Sequence, residues 1–403
     1  GPAGIAAAIC AARGGAKTLL LEVLGAVGGI STSGLMSHFT GSVTSRLYDE
    51  VLSRAKEKNA FHGYARREVI DPELLKITYY EMLKEAGVDI LLYTLVYGVL
   101  MQDNKVVGVK TISKSGKKAF SAKVVIDATG DGDVAYFSGA SYFLGRESDQ
   151  KMQPATLMFK VGGVDMERAV FPGSFESTVE TPKGELQALA QEILPFPAGH
   201  VLLYKSTIPG IVTCNMTNCI DVDGTKAEDL TKAELVCRSQ MEPIVSFLRA
   251  YVPGYEECYL ISAASLVGIR ETRHFVGEEQ LTEEDILCAK VFDNWVVRDA
   301  YFNFDVHNLT GASLDKTGVQ KHFAQRKGYT IPYGCLIPQK VDGLLLSGRN
   351  ISGTHMAHSN FRAMPICLAL GEAAGVAAAL SVKENISPRA VDVTTIQNIL
   401  QNG

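Results

Sequence analysis

The sequence predicts an α/β fold in two parts. One is a domain on a parallel sheet with a small antiparallel insertion, discontinuous in the chain (1–150 and 331–403); the other is an α+β domain (151–330). Three observations predict it. The chain opens on Gly1-Pro-Ala-Gly4, runs into an apolar helical stretch, and closes its next hydrophobic run, Thr18-Leu-Leu-Leu21, on Glu22. Buried strand-like runs, Val124-Val-Ile126 and Leu344-Leu-Leu346, lead into glycine turns in distant parts of the chain. Between them, from about Asp149, lies a proline- and turn-rich stretch with its own long helical candidate, too long for a loop.

The opening is half of a dinucleotide fingerprint and makes the first domain Rossmann-like. A complete fingerprint has a buried strand, three glycines and an acidic residue roughly twenty positions on. Gly1 and Gly4 serve as the second and third glycines, and Glu22 stands at the acidic position. The first strand and first glycine are expected upstream of Gly1, where any export signal would also lie. Without them, retention of a nucleotide by this chain is an open expectation. The rival for the opening alone is a surface helix with a Gly-Pro start.

In chain order, a helix is expected over 3–13, a strand over 17–22, a Gly/Ser/Thr loop over 25–34 and a helix over 45–58. Asp71-Pro72 is a helix start, with Asp as N-cap and Pro in the first turn, running to about 86. Strands over 89–93, 95–101, 105–112 and 117–121 form the antiparallel insertion, with Lys114-Ser-Gly116 as a hairpin loop. The middle region offers a strand over 155–161 and a helix over 232–251; the last helix spans 365–383.

Composition bounds the function. The chain has 403 residues, 46% hydrophobic and 21% charged, as in an ordinary globular protein. A formal charge of -5 with scattered basic residues argues against a nucleic-acid surface. Apolar runs such as 90–99 fall short of the roughly 20 residues of a membrane span. Eight cysteines show no CxxC pair, so no metal site is expected; reduced core thiols and a cytoplasmic setting are.

Glycine-bearing segments carry the chemistry. Gly28-Gly-Ile-Ser-Thr-Ser-Gly34, Asp127-Ala-Thr-Gly-Asp131 and Gly343-Leu-Leu-Leu-Ser-Gly-Arg349 join the opening one, with bare backbone or small hydroxyls where an open α/β sheet binds ligand. With Asp71-Pro-Glu-Leu-Leu-Lys76, Met152-Gln-Pro154, Gly268-Ile-Arg-Glu-Thr-Arg273 and Gly348-Arg349…His355-Met-Ala-His358…Arg362, the chain resembles the FAD-oxidoreductase family of the glutathione-reductase structural superfamily. The resemblance covers nearly the whole chain and is specific for family more than for substrate.

It implies FAD as cofactor. Gly1, Ala3 and Gly4 would meet the pyrophosphate at a helix N-terminus, and Glu22 the adenosine ribose. Gly29, Ser33 and Gly34 would pass near the flavin side, and Val96 near the adenine. Ala128, Thr129, Gly130 and Asp131 would form the second turn over the nucleotide, and Gly348 and Arg349 the third. Backbone N–H groups of Ile366 and Cys367 would face the flavin pyrimidine edge.

For catalysis the candidates are His355 or His358 as acid/base, in an expected polar loop, and Arg270. The histidines have two rival readings, as solvated loop residues or as a metal fragment lacking a third ligand. Arg270 and Arg273 share a face only if helical; domain-bridging salt bridges are the alternative, favoured for Arg273. Arg362 is expected to bind either cofactor or substrate. Trp295 and Tyr301-Phe-Asn-Phe304 are pocket or packing residues. The implied activity is hydride transfer between flavin N5 and a small, carboxylated substrate, with an unspecified electron donor or acceptor and a homo-oligomer as an option. The alternatives are a fumarate-reductase-like dehydrogenase and a non-catalytic nucleotide-binding protein.

Overall fold

Leucine runs bounded by turn residues become short parallel strands, and alanine-rich segments become the helices that cover them. The computed structural model describes residues 1–61, 69–175, 177, 179–313 and 325–402. Helix Pro2–Arg13 is capped by Gly1, carries Pro2 in its first turn and ends at Gly14. Leu19–Leu21 pairs parallel with Asp89–Leu91, and Leu344–Leu346 pairs parallel with Val125–Asp127, joining distant parts of the chain.

Asp89–Leu91 therefore belongs to the parallel layer, not to the antiparallel insertion as expected. The preceding helix Pro72–Glu85 makes it the end of a crossover, and crossovers deliver parallel strands. That helix starts as the sequence predicts: Asp71 Oδ1 accepts from Glu73 N at 3.0 Å and Leu74 N at 3.1 Å. The insertion is the meander Leu95–Gln102, Lys105–Ser113 and Gly116–Ser121.

A second core gathers around a four-stranded antiparallel sheet ordered Leu203–Lys205, Val212–Cys214, Phe159–Gly162, Tyr259–Ala263. Leu157, Phe159 and Val161 pack there with Ile244, Phe247 and Leu248 of helix Ala227–Tyr251. The helix begins at Ala227 rather than 232 because Glu228 and Asp229 complement its positive N-terminal end. Phe275, Leu281, Ile286, Val296, Val297, Ala300 and Phe304 pack in the first core, with Tyr329 and Ile331. Strand Trp295–Tyr301 pairs with both Tyr329–Pro332 and Ser42–Thr44.

Helix Met364–Glu384 corrects another expectation. With mean hydropathy 1.7 it is long and apolar enough to cross a membrane, yet 89% of its most apolar window is buried within the protein. It packs against Pro2–Arg13 so closely that a Cβ at Gly371 would lie 2.2 Å from the Ala3 carbonyl oxygen, and one at Gly375 2.5 Å from that of Ala7. All eight thiols are free, and Cys288 is exposed rather than in a core.

Gly375→Leu should push these two helices apart and cost about 1–3 kcal/mol of stability or more. An unchanged denaturant midpoint would show that the helices are not in that contact.

Candidate functional site

The contact between the first and last helices leaves a cavity of about 1980 Å³ bordered by both cores, larger than the roughly 300–1,000 Å³ of ordinary small-ligand sites. Part of it extends between strands Leu19–Leu21 and Val125–Asp127, under the first helix. The rest is a trough along the glycine turns, ending at charged residues of the middle region.

The turns converge on the N-terminus of helix Pro2–Arg13. Gly29 (φ +55°) comes so near that its Cβ would lie 2.9 Å from Gly1 Cα; a Cβ on Gly4 would lie 3.2 Å from Ala128 Cβ, and one on Gly348 (φ +97°) 3.1 Å from Ala3 Cβ. Side chains have no room there, whereas unpaired helix N–H groups and the dipole suit a phosphate. Gly1, Ala3, Gly4, Gly29, Ala128, Thr129, Gly130 and Gly348 all line the cavity. This cradle fits the pyrophosphate of an extended dinucleotide.

Asp127 builds the second turn. Its Oδ1 accepts from Thr129 N (3.0 Å) and Oγ1 (2.7 Å), and its Oδ2 from Ala135 N (2.8 Å). Asp131 and Arg349 clamp the second turn to the third at 2.6 Å, with Thr272 Oγ1 donating to the same Asp131 oxygen at 2.6 Å. Both line the cavity, though their charges are spent on each other. Glu22 and Val96 line the far end, and Glu22 Oε1 accepts from Leu24 N at 3.0 Å.

Ser33, Gly34 and Ile366 do not line the cavity. The Ser33 carbonyl accepts from Ser265 N at 2.8 Å, tying the loop to the second core. Gly34 folds tightly back on Ile30, and Ile366 is turned into the core, while Ala363, Met364 and Cys367 border the cavity.

His355 and His358 also require correction. They sit on helix His355–Phe361 rather than in a polar loop, are buried, and do not reach the cavity. The reason is Glu271, whose Oε1 takes His355 Nδ1 at 2.6 Å and His274 Nε2 at 2.8 Å while Oε2 accepts from Gln153 N at 3.1 Å. Glu271, His274 and His358 bring ligand-type atoms within 4.8 Å of one another, a grouping the His-X-X-His spacing does not reveal. Burial opposes a charge on His355, but the Glu271 carboxylate outweighs it and raises the imidazole pKa; burial and His274 drive that of His358 well down.

At the charged end, Arg270 and Arg273 lie in extended chain and diverge. Arg273 pairs with Asp133 at 2.8 Å and stacks on Tyr136, so it is the domain-bridging residue of the alternative reading. Arg270 lines the cavity, its NH1 donating to Thr156 Oγ1 at 2.9 Å and to the Pro154 carbonyl. Arg362 donates through NH2 to Asp305 Oδ2 at 2.8 Å, and its buried Nε has no partner. Burial and Arg362 pull the Arg270 guanidinium down to about 10, leaving it charged at neutral pH.

Asp305, His307, Tyr204 and Asn215 complete this wall. Sequence reasoning missed them; an Asp-X-His directly after the aromatic run 301–304 was the available signal. Phe302 and Asn303 of that run border the cavity, and Trp295 instead packs under Arg298.

A family model described as FAD dependent oxidoreductase matches residues 1–400. The chain is similar to a geranylgeranyl bacteriochlorophyll reductase-like protein from Thermoplasma acidophilum at 15% identity, over 100% of this chain and 81% of that one, with a TM-score of 0.50. It is also similar to p-nitrophenol 4-monooxygenase PnpA from Pseudomonas putida DLL-E4 (12% identity, 100% and 87% covered, TM-score 0.48). For CabE, an aromatic hydroxylase from angucycline biosynthesis, the match is 12% identity over 70% of this chain and 53% of that one, TM-score 0.39. The first likeness is one of fold. No curated protein sequence matches the chain.

His355 binds its proton more tightly folded than unfolded. Its pair with Glu271 therefore contributes stability that is complete below the ordinary value of 6.5 and is lost as pH rises through the raised folded value. His355→Gln should cost about 3–5 kcal/mol at pH 5.5 and clearly less at pH 8.5. Equal losses at both pH values in denaturant titrations would contradict the pairing.

Proposed function

The chain belongs to the FAD-dependent oxidoreductase family, and from that premise we propose that it exchanges a hydride with a small carboxylated organic molecule bound at the arginine end of the cavity. One observation carries the reading. Arg270 and Arg362 face a shared wall with one carboxylate, Asp305, between their charges, and among the described residues Arg270 has no carboxylate within ion-pair distance. Two guanidiniums and one carboxylate leave an excess positive charge in a partly buried site, and a substrate carboxylate would offset it.

When bound, FAD supplies hydride exchange at N5. Gly1, Gly4, Gly29, Gly130 and Gly348 would hold its pyrophosphate with backbone rather than side chains, and Glu22 its ribose. Ala363 and Cys367 border the end next to Arg362. The protein's task there is to anchor the substrate carboxylate, exclude water with Phe302, Met158 and Phe175, and hold the reacting carbon still. Arg362, which lines the cavity beside Arg270, anchors substrate in this reading.

Arg270→Met should leave flavin content unchanged and weaken succinate binding by roughly tenfold to a hundredfold, the worth of a hydrogen bond to a charged group. Succinate is the probe, and perturbation of the bound-flavin absorbance the readout. Undiminished affinity in the variant would contradict the reading, as would a wild-type protein that responds to no small carboxylate.

A further inference from the structure

With His355 and His358 held behind Glu271, the cavity wall offers other groups to handle a proton. Tyr204 and Cys367 line it, but burial pushes each up to about 12, so both keep their protons. His38 also borders the cavity, with Nδ1 bonded to Ser37 Oγ at 2.8 Å and its ring against Tyr204. Among the described residues, the imidazole beside the arginines is that of His307.

His307 is built in. Its Nε2 lies 3.3 Å from Asp305 Oδ2, the oxygen that also takes Arg362 NH2 at 2.8 Å. Its backbone N–H donates to Gln153 Oε1 at 3.3 Å, and Gln153 N in turn donates to Glu271, so the buried carboxylate that holds His355 also fixes this segment. The ring stands edge-on to Phe175, centroids 5.2 Å apart and planes at 88°. Carboxylate on one side and aromatic edge on the other define the plane of the imidazole, the arrangement that orients a catalytic histidine. Asp305 engages Nε2, which leaves Nδ1 as the atom for a ligand.

We propose that His307, positioned by Asp305, is the acid/base of this site, and that the substrate is a carboxylate carrying an O–H or N–H on the carbon to be oxidised, a hydroxy or amino acid. The inference rests on the reading of Arg270 and Arg362 as the carboxylate anchor. In the oxidation, the substrate C–H bond breaks and its pair leaves as hydride to the two-electron acceptor that FAD supplies. The O–H or N–H bond breaks at the same carbon, its pair forms the second bond of C=O or C=N, and its proton passes to His307 Nδ1. The imidazolium so formed faces the Asp305 carboxylate and later yields its proton to water. Electrostatics support the direction: burial and Arg270 hold the His307 pKa down at about 4 despite Asp305, so the resting ring is a neutral acceptor. Asp305 stays ionised, because His307, Arg362 and Arg270 outweigh the burial that opposes its charge.

The test compares 2-hydroxyisobutyrate, which cannot be oxidised because its hydroxyl carbon bears no hydrogen, with pivalate, which has the same shape without the hydroxyl. Binding of each to the FAD-loaded protein is measured by calorimetry. Wild type should prefer the hydroxy acid by about fivefold, the worth of one net hydrogen bond. His307→Phe, which keeps a ring against Phe175, and His307→Asn should each bring the ratio near one while leaving pivalate affinity within about twofold. Equal binding of the two acids by wild type would overturn the assignment of His307, as would a preference that survives in either variant. Binding of neither acid by wild type would instead overturn the carboxylate anchor itself, and if both variants lose the fold, the wild-type ratio still decides.

Discussion

The site depends on one contact, the packing of helix Pro2–Arg13 against helix Met364–Glu384. Gly371 and Gly375 let the last helix lie against the Ala3 and Ala7 carbonyls of the first. That approach brings Gly348 to Ala3 and Arg349 to Gly130, so the cradle is assembled from segments separated by almost the whole chain. Small residues there act through backbone proximity, not through their own chemistry. The same contact buries a helix apolar enough for a membrane inside a protein core.

Charge divides the structure into two polar systems with different tasks. Behind the cavity, Glu271 spends its oxygens on His355, His274 and Gln153 N, which locks helix His355–Phe361 to the strand Arg273–Phe275. A fully occupied carboxylate of this kind gives rigidity. At the cavity wall, Arg270, Arg362, Asp305 and His307 are incompletely paired: Asp305 pairs with Arg362, and among the described residues Arg270 has no carboxylate within ion-pair distance. Incomplete pairing of charge in a lined pocket is what a ligand can exploit. Gln153 bridges the two systems, through its backbone to Glu271 and its side chain to His307. The rigid network thereby supports the open one.

The glycine turns that line the cavity were legible in the sequence because glycine cradles are local. Gly1-Pro-Ala-Gly4, Asp127-Ala-Thr-Gly-Asp131 and Gly348-Arg349 each declare a turn through their own residues, and Asp71-Pro72 declares a helix start. Features decided by distant partners were not legible. Asp89–Leu91 looks like its antiparallel neighbours until the crossover sets it beside Leu19–Leu21. His355 and His358 read as polar loop residues because nothing local reveals that Glu271, more than eighty positions away, will bury them. Asp305 and His307 were hidden by the aromatic run before them, which reads as packing, and Ser33 faces the wrong way because its carbonyl is claimed by Ser265.

The central claim is geometric: one cavity, closed by the first and last helices, holds an extended FAD with its reactive end beside Arg270, Arg362 and His307. A crystal structure of the FAD-loaded protein tests it most directly. The account predicts the pyrophosphate at Gly1, Gly4 and Gly130, the adenosine toward Glu22, and the isoalloxazine ring next to Arg362 and Cys367. A ring lying at the Glu22 end, or an FAD bound outside this cavity, would contradict it.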